Sequence, residues 1–282
     1  MTKIGFIGQG WIGKHYADDF ENRLYEVVRY SLEQPFVQNK DAIRECVIVF
    51  IAVPTPTTME GYSYKAVEDA LLCVSDGATA VIKSTLTPGT TETLQKNFPN
   101  LFVIHSPEFL AEITAAYDAA KPKRNLLGIP HITKEFKEKA EEVLRILPEA
   151  PYNQIMSSKE AEIVKYAGNC FLYSKIMYMN ILYNLVESQG ADWEVVREAM
   201  VNDPRIGSSH TQPLHDSGRG AGGHCFIKDF EAFRQMYQKE LSDPLGDAVL
   251  KSLVEMNNSL LLSTDKNIEL LQGVYGDDIS IK

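Results

Sequence analysis

The chain has 282 residues, enough for one large or two moderate domains around a sizeable core. Hydrophobic residues make up 44% and charged residues 23%, the balance of an ordinary globular protein, which argues against wholesale disorder. Asp and Glu total 38 against 28 Lys and Arg, a formal net charge of −10, so there is no general attraction for nucleic acid or anionic lipid, and any anion must be held by a local site. The longest apolar runs, such as residues 46–53, fall far short of a membrane span, and the N-terminus has no signal-peptide core. The four cysteines (Cys46, Cys73, Cys170, Cys225) form no CxxC pair, which suggests neither a zinc site nor a disulfide framework. A reducing, cytoplasmic setting is expected.

In chain order, the pattern predicts a strand over 3–7, a helix over 13–23, a strand over 26–30 and a brief helical or loop segment over 41–45. Strands follow at 47–53, 80–82, 102–105 and 125–129, with helices at 63–75, 90–97 and 134–147. Strands separated by crossover helices imply a Rossmann-like, doubly wound parallel sheet covered on both faces. From Ser157-Ser158, with Glu160 as a capping partner, to Gly190 there is no Pro, and apolar residues recur at helical spacing. A helix of roughly 30 residues would span about 45 Å, typical of one that links domains or subunits. A helix over 192–202, a glycine-rich loop over 203–228 and helices over 230–239 and 247–262 complete an all-helical central region. The expected division is a dinucleotide-binding domain (1–157), a helical central or dimerisation domain (158–262) and a loosely ordered tail (263–282).

Gly8-Gln9-Gly10-Trp11-Ile12-Gly13 follows a strand and opens a helix, the context a dinucleotide fingerprint requires. Gly8 permits the tight turn, Gly10 lets pyrophosphate approach the backbone, and Gly13 allows close helix–strand packing. Trp11 and Ile12, opening the helix, share the cofactor assignment with the glycines. Ser31 stands where such folds place an acid on the adenosine ribose, and Arg29 is adjacent, so NAD is expected with NADP possible.

Three further segments carry polar groups beside glycine or within otherwise apolar helices. Glu108 and Glu112 are four apart after a strand and would share a side if the chain turns helical after Pro107. Lys165 and Asn169 are four apart on the long helix. Cys225 and Asp229 would be four apart if a helix starts at the Gly222-Gly223 pair. A thiol at a helix N-terminus near a lysine has a lowered pKa and is a good nucleophile. The bland alternatives are a small buried hydrophobe for Cys225 and solvated or capping roles for the others.

With these residues in view, the sequence resembles the UDP-glucose/GDP-mannose dehydrogenase family. The matching motifs are Gly8 to Gly13, Val53-Pro54-Thr55-Pro56-Thr57, Lys83-Ser84-Thr85 with Pro88-Gly89-Thr90-Thr91, Ser106 to Glu112, Arg124, Ala161 to Asn169, Asp203-Pro204-Arg205-Ile206-Gly207 and Gly218 to Asp229, in family order. The resemblance implies oxidation of a sugar-nucleotide primary alcohol to a carboxylate with two equivalents of NAD. By the same resemblance Cys225 attacks the aldehyde, giving a thiohemiacetal and then a thioester. Lys165 and Asn169 stabilise the oxyanion, and Thr85, Glu108 and Asp229 position water and accept protons. Glu112 lies between substrate and nicotinamide, Val53, Thr55, Thr85 and Lys228 reach the cofactor, and Gly218, Gly222 and Gly223 wrap the sugar. Arg205 reaches the substrate of a neighbouring subunit. His224 stands where the family has a small residue and is given no role.

Family members usually continue into a second α/β domain that grips the nucleotide, and this chain stops after Val254 to Asn258, where it would begin, so an altered substrate is also expected. A homodimer through residues 158–262 is expected, because the long helix carries much apolar surface. Two other functions compete: a β-hydroxyacid dehydrogenase, which makes one hydride transfer without a thiol, and a non-catalytic nucleotide-binding homologue.

Overall fold

The computed structural model describes residues 3–216, 218–276 and 279, apart from the side chain of Glu112. The elements run β1 (Lys3–Ile7), α1 (Trp11–Asn22), β2 (Glu26–Tyr30), a 3-10 segment (Val37–Glu45), β3 (Ile48–Ile51), β4 (Thr57–Thr58), β5 (Gly61–Tyr62), α2 (Lys65–Leu71), β6 (Thr79–Ile82), α3 (Thr90–Asn97) and β7 (Phe102–His105). A 3-10 turn (Glu112–Thr114) leads to α4 (Ala115–Ala120), β8 (Arg124–Ile129), α5 (Lys134–Ile146), β9 (Tyr152–Ser157), α6 (Ser158–Ser188) and α7 (Trp193–Val201). The chain ends with β10 (Leu214–His215), β11 (Gly218–Arg219), α8 (Gly223–Glu240), α9 (Pro244–Ser263) and α10 (Ile268–Tyr275). It divides into two compact units, Met1–Pro56 with Ser63–Lys165, and Thr57–Tyr62 with Tyr166–Lys282, so the division falls inside α6.

The first unit is built on a seven-stranded sheet of order β2-β1-β3-β6-β7-β8-β9. Its apolar strands are buried on both faces, so successive residues enter opposite cores. Phe6, Phe50, Val81 and Ile104 join one cluster, and Ile7, Ile51, Ile82 and Val103 join the other. That is why 47–53 is a continuous apolar run. Strand order reverses between β1 and β3, and such a switch point is where open α/β sheets bind ligands. From β2 to β7 the strands are parallel, so the turns after β1, β3, β6 and β7 all emerge at one edge.

Two features depart from the expected parallel sheet. The link after β7 returns to the edge it left, so β8 pairs antiparallel with β7. The unexpected β9 then pairs parallel with β8. Its first residues, Tyr152, Asn153 and Gln154, are exposed, as suits an edge strand, and so they leave no apolar signature. The long helix starts where its cap residues indicate: Glu160 accepts from the Ser157 amide and hydroxyl (2.8 and 2.7 Å), a capping box.

In the second unit, Tyr173 of α6 stacks on Phe230 of α8 at 3.9 Å between centroids, at the centre of a cluster with Tyr166, Ile176 and Val254. The unit is not all-helical: β4–β5 and β10–β11 are short antiparallel hairpins. The expected tail contains α10, whose Leu271 and Val274 pack on Ile227 and Leu261. Of that tail, residues 277, 278 and 280–282 lie outside the described part.

Candidate active site

The dinucleotide turn is built as its spacing implies. Gly8 has φ +90°, and a Cβ there would meet the Ala52 carbonyl oxygen at 2.2 Å and the Val53 side chain at 3.2 Å. A Cβ on Gly13 would meet the Gly8 carbonyl oxygen at 1.9 Å, whereas one on Gly10 would meet nothing within 4 Å. Gly10 caps α1 and Trp11 and Ile12 open it, so N-terminal amides and the positive end of the helix dipole face the turn. A strained turn, an open cradle over Gly10 and a helix N-terminus at a switch point together fit a dinucleotide pyrophosphate.

At the end of β2, the Ser31 hydroxyl donates to the Glu33 carbonyl oxygen at 2.9 Å. Arg29 is committed elsewhere. Its guanidinium pairs with Asp18 and Glu21 of α1, both at 2.7 Å, and is engaged there rather than extended toward a 2′-phosphate.

The turns after β3 and β6 are tied together. Ser84 Oγ donates to the Val53 carbonyl oxygen (2.7 Å) and accepts from its amide (3.0 Å), and Thr55 Oγ1 donates to the Thr85 carbonyl oxygen at 2.9 Å. Thr85 and Thr55 are both buried. Lys83, which precedes Ser84-Thr85, stands in the matching motif without a role implied for it. Lys83 is buried, donates to Ser106 Oγ at 3.0 Å and sits 4.3 Å from the centroid of the Tyr16 ring. Desolvation pulls its pKa down to about 7, with the Glu108 charge opposing and Lys165 adding to the depression. Neighbouring His105 is wholly buried, and burial pushes its pKa down to about 3.

Glu108 and Lys165 form a buried ion pair. Lys165 Nζ donates to Glu108 Oε1 at 2.7 Å and to its carbonyl oxygen at 2.8 Å, while Leu110 N donates to Oε2 at 2.8 Å. The Arg124 guanidinium lies 3.7 Å from the centroid of the Phe109 ring, and burial lowers its pKa. The expected helix after Pro107 is absent: residues 106–111 are irregular, because Glu108 spends an oxygen on the Leu110 amide instead of a helical turn. The shared side expected for Glu108 and Glu112 therefore lapses, and the Glu112 side chain lies outside the described part. Glu162, one turn before Lys165, accepts from the Gly89 and Thr91 amides (2.6 and 2.8 Å) and caps α3, with burial raising its pKa.

In the second unit, Asp229 is buried and accepts from Asn169 Nδ2 at 2.6 Å and from Lys228 Nζ at 2.5 Å. Lys228 is thereby engaged with a carboxylate of its own helix. Cys225 is half-buried at the third position of α8, which begins at Gly223 rather than near 230, so Cys225 and Asp229 do share one helix face. The other three cysteines are buried. Burial raises the thiol of Cys46 to about 11 and raises those of Cys73 and Cys170 as well.

The glycine loop is packed on side chains from α9 and the junction before α10. A Cβ would meet Thr264 at 2.6 Å from Gly218, Asn257 at 2.9 Å from Gly220 and Asn267 at 2.1 Å from Gly222. These contacts account for three glycines without a ligand, and only side chains some 40 residues away reveal them. Arg205 is 89% exposed and pairs with Asp203, its neighbour in the same turn.

Residues 17–147 match the NAD binding domain of the UDP-glucose/GDP-mannose dehydrogenase family, and residues 159–259 match its central domain. The chain belongs to that family. UDP-glucose 6-dehydrogenase YwqF of Bacillus subtilis (strain 168) is 32% identical over 295 residues, covering 96% of this chain and 64% of that protein. The chain thus spans 64% of the length of such curated relatives. A UDP-glucose dehydrogenase of Pyrobaculum islandicum has a similar structure, with a TM-score of 0.77 and 28% identity over 93% of this chain and 70% of that one. The 3-hydroxyisobutyrate dehydrogenase of Mycobacterium tuberculosis shares the fold alone, at TM-score 0.70 and 13% identity over 96% and 98% of the two chains. Among the described residues, no helix is long and apolar enough to cross a membrane.

Proposed function

We propose that this chain is an NAD-dependent dehydrogenase that oxidises the primary alcohol of a nucleotide sugar to a carboxylate through a thioester on Cys225. The observation that carries this reading is that its polar groups are bonded to one another rather than solvated: buried Lys165 on buried Glu108 in the first unit, half-buried Asn169 on buried Asp229 in the second. NAD, when bound, accepts one hydride in each of two oxidations.

In the first oxidation the carbinol carbon loses a hydride and its hydroxyl loses a proton to a base, leaving an aldehyde. Asp229 and water held by Thr85 and Glu108 serve as proton acceptors. The Cys225 thiolate then adds to the aldehyde carbon. A C–S bond forms, and the carbonyl oxygen becomes an alkoxide that Lys165 and Asn169 stabilise before it is protonated. Loss of a second hydride from that carbon, with the hydroxyl proton, gives the thioester. Water adds, the C–S bond breaks, and Cys225 leaves as thiolate while the product departs as carboxylate. Glu112 and Lys228 border the cofactor, and the backbone of Gly218 to Gly223 borders the sugar. A reducing cytoplasm suits a mechanism that needs a thiolate.

The second unit also pairs with a second copy: on α6, Phe171 and Tyr178 are 68% and 57% exposed, with Ile181 and Leu185 continuing the same face. Such a partner is what would bring Arg205 to a neighbouring substrate. Light scattering at micromolar concentration tests this, a monomer being the contrary result.

The decisive experiment incubates the protein with UDP-glucose or GDP-mannose and NAD. Two reduced cofactors per sugar and a carboxylate product are expected, and Cys225→Ser should halt before the acid. A single reduction per alcohol, or a serine variant that still makes acid at the full rate, overturns the proposal.

A further inference from the structure

The loop that leads into the thiol-bearing helix has its backbone held almost group by group by side chains from one stretch of chain. Thr264 Oγ1 accepts from the Arg219 amide at 3.1 Å. Lys266 Nζ donates to the Gly220 carbonyl oxygen at 3.2 Å. Asn257 accepts from the Ala221 amide at 2.7 Å and donates back to the Ala221 carbonyl oxygen at 3.1 Å. Asn267 Oδ1 accepts from the amide of Gly223, the first residue of α8, at 2.9 Å. Asn257 is wholly buried and Lys266 nearly so. Asn267 holds φ +53°, a left-handed conformation that asparagine tolerates better than most residues. That bend turns the chain from α9 into α10, whose Leu271 and Val274 pack on Ile227 of α8. Two independent attachments, polar to the loop and apolar to the helix, therefore arise from residues 257–274.

We propose that Asn257, Lys266 and Asn267 are positioning residues for Cys225: they hold the 219–223 backbone so that α8 begins at Gly223 and presents its third residue in one place. Asn267 matters for its neutrality as well as its reach. Its oxygen takes the first amide of the helix whose N-terminus favours a thiolate two residues on. A carboxylate at that position keeps the acceptor but adds a negative charge there and disfavours the thiolate. The link to catalysis rests on the proposed role of Cys225, but the holding of the thiol does not.

The test uses the full chain with Asn267→Ala and Asn267→Asp, read by amide hydrogen exchange and by iodoacetamide labelling of Cys225 across pH, with peptide mapping. For Asn267→Ala we expect exchange at residues 219–225 to rise about tenfold, the scale of one lost hydrogen bond, with α9 unchanged. Labelling should lose its single rate. For Asn267→Asp we expect exchange close to the parent, while the pH midpoint of Cys225 labelling moves upward, because the added charge sits at the amide end of the helix that carries the thiol. Unchanged loop exchange in the alanine variant, or an unmoved midpoint in the aspartate variant, overturns the proposal. If Cys225→Ser still forms acid, the proposed function falls alone, because exchange and labelling report on Cys225 without turnover.

Discussion

Lys165 Nζ meets both the carboxylate and the main-chain carbonyl of Glu108, at 2.7 and 2.8 Å, with the two side chains only 5% and 3% exposed. A buried pair is weak evidence for stability, yet removing one member leaves an uncompensated charge and costs about 3–5 kcal/mol. Lys165→Met alone should therefore lower the unfolding free energy by about 3 kcal/mol, and Glu108→Gln alone should do nearly as much. The double variant should recover much of the loss, because no lone charge remains. Turnover should be lost in all three, and denaturant titration beside the assay separates the effects. A double variant as unstable as the sum of the singles would show that the pair does not act as a unit.

Much of the first unit was legible because parallel strands bring every strand-end motif to one edge. The glycine turn, Val53 to Thr55, Ser84-Thr85 and Ser106 to Glu108 each follow an apolar run, so locating the strands located the motifs. Groups whose meaning depends on distant partners stayed hidden. Lys83 looks like any polar residue after a strand, and only Tyr16 and Ser106 reveal that it is buried. Asn257, Lys266 and Asn267 lie some 40 residues from the loop they hold. β9 lacked an apolar pattern because only one of its edges is paired, and the density of glycine before Cys225 concealed the first turns of α8.

Gly10 and Gly13 should separate ligand binding from packing. Gly13→Ala drives a Cβ into the Gly8 carbonyl, so the backbone must shift, and the variant should melt several degrees lower and bind NAD poorly. Gly10→Ala meets no protein atom within 4 Å, and its φ of −69° suits alanine. Its melting temperature should stay within about 2 °C of the parent, while NAD affinity falls tenfold or more because the methyl group occupies the cradle. Calorimetric titration with NAD checks this, and parental affinity in Gly10→Ala would remove the pyrophosphate from that turn.

Asp229 serves two partners through different oxygens, Asn169 at Oδ2 and Lys228 at Oδ1. Asp229→Asn keeps the shape but removes the charge that Lys228 faces and the proton acceptor the reaction needs. Turnover should fall by about 10²-fold or more, the usual contribution of a positioned base. NAD affinity should be little changed, because the glycine turn belongs to the first unit. A rate loss below threefold would exclude Asp229 as a base.

The buried Lys83 imposes a pH dependence on folding whose sign is opposite to that of a paired lysine. Its pKa falls to about 7 in the folded chain against an ordinary 10.5, so between those values the unfolded chain holds a proton that the folded chain lacks. Stability from this group therefore rises with pH from about 7 to about 10.5, and the penalty is complete below 7. His105, pushed down to about 3 from 6.5, acts in the same direction at lower pH: folding loses support as pH falls from 6.5 toward 3. Lys83→Met retains the stem over Tyr16 and removes the lysine's titration. Relative to the parent it should melt several degrees higher at pH 6, with the gain shrinking by pH 9, despite leaving Ser106 without its donor. Melting curves of parent and variant at pH 6, 7.5 and 9 measure this directly. A difference that is constant across the three, or that grows with pH, would mean that Lys83 keeps an ordinary pKa in the fold.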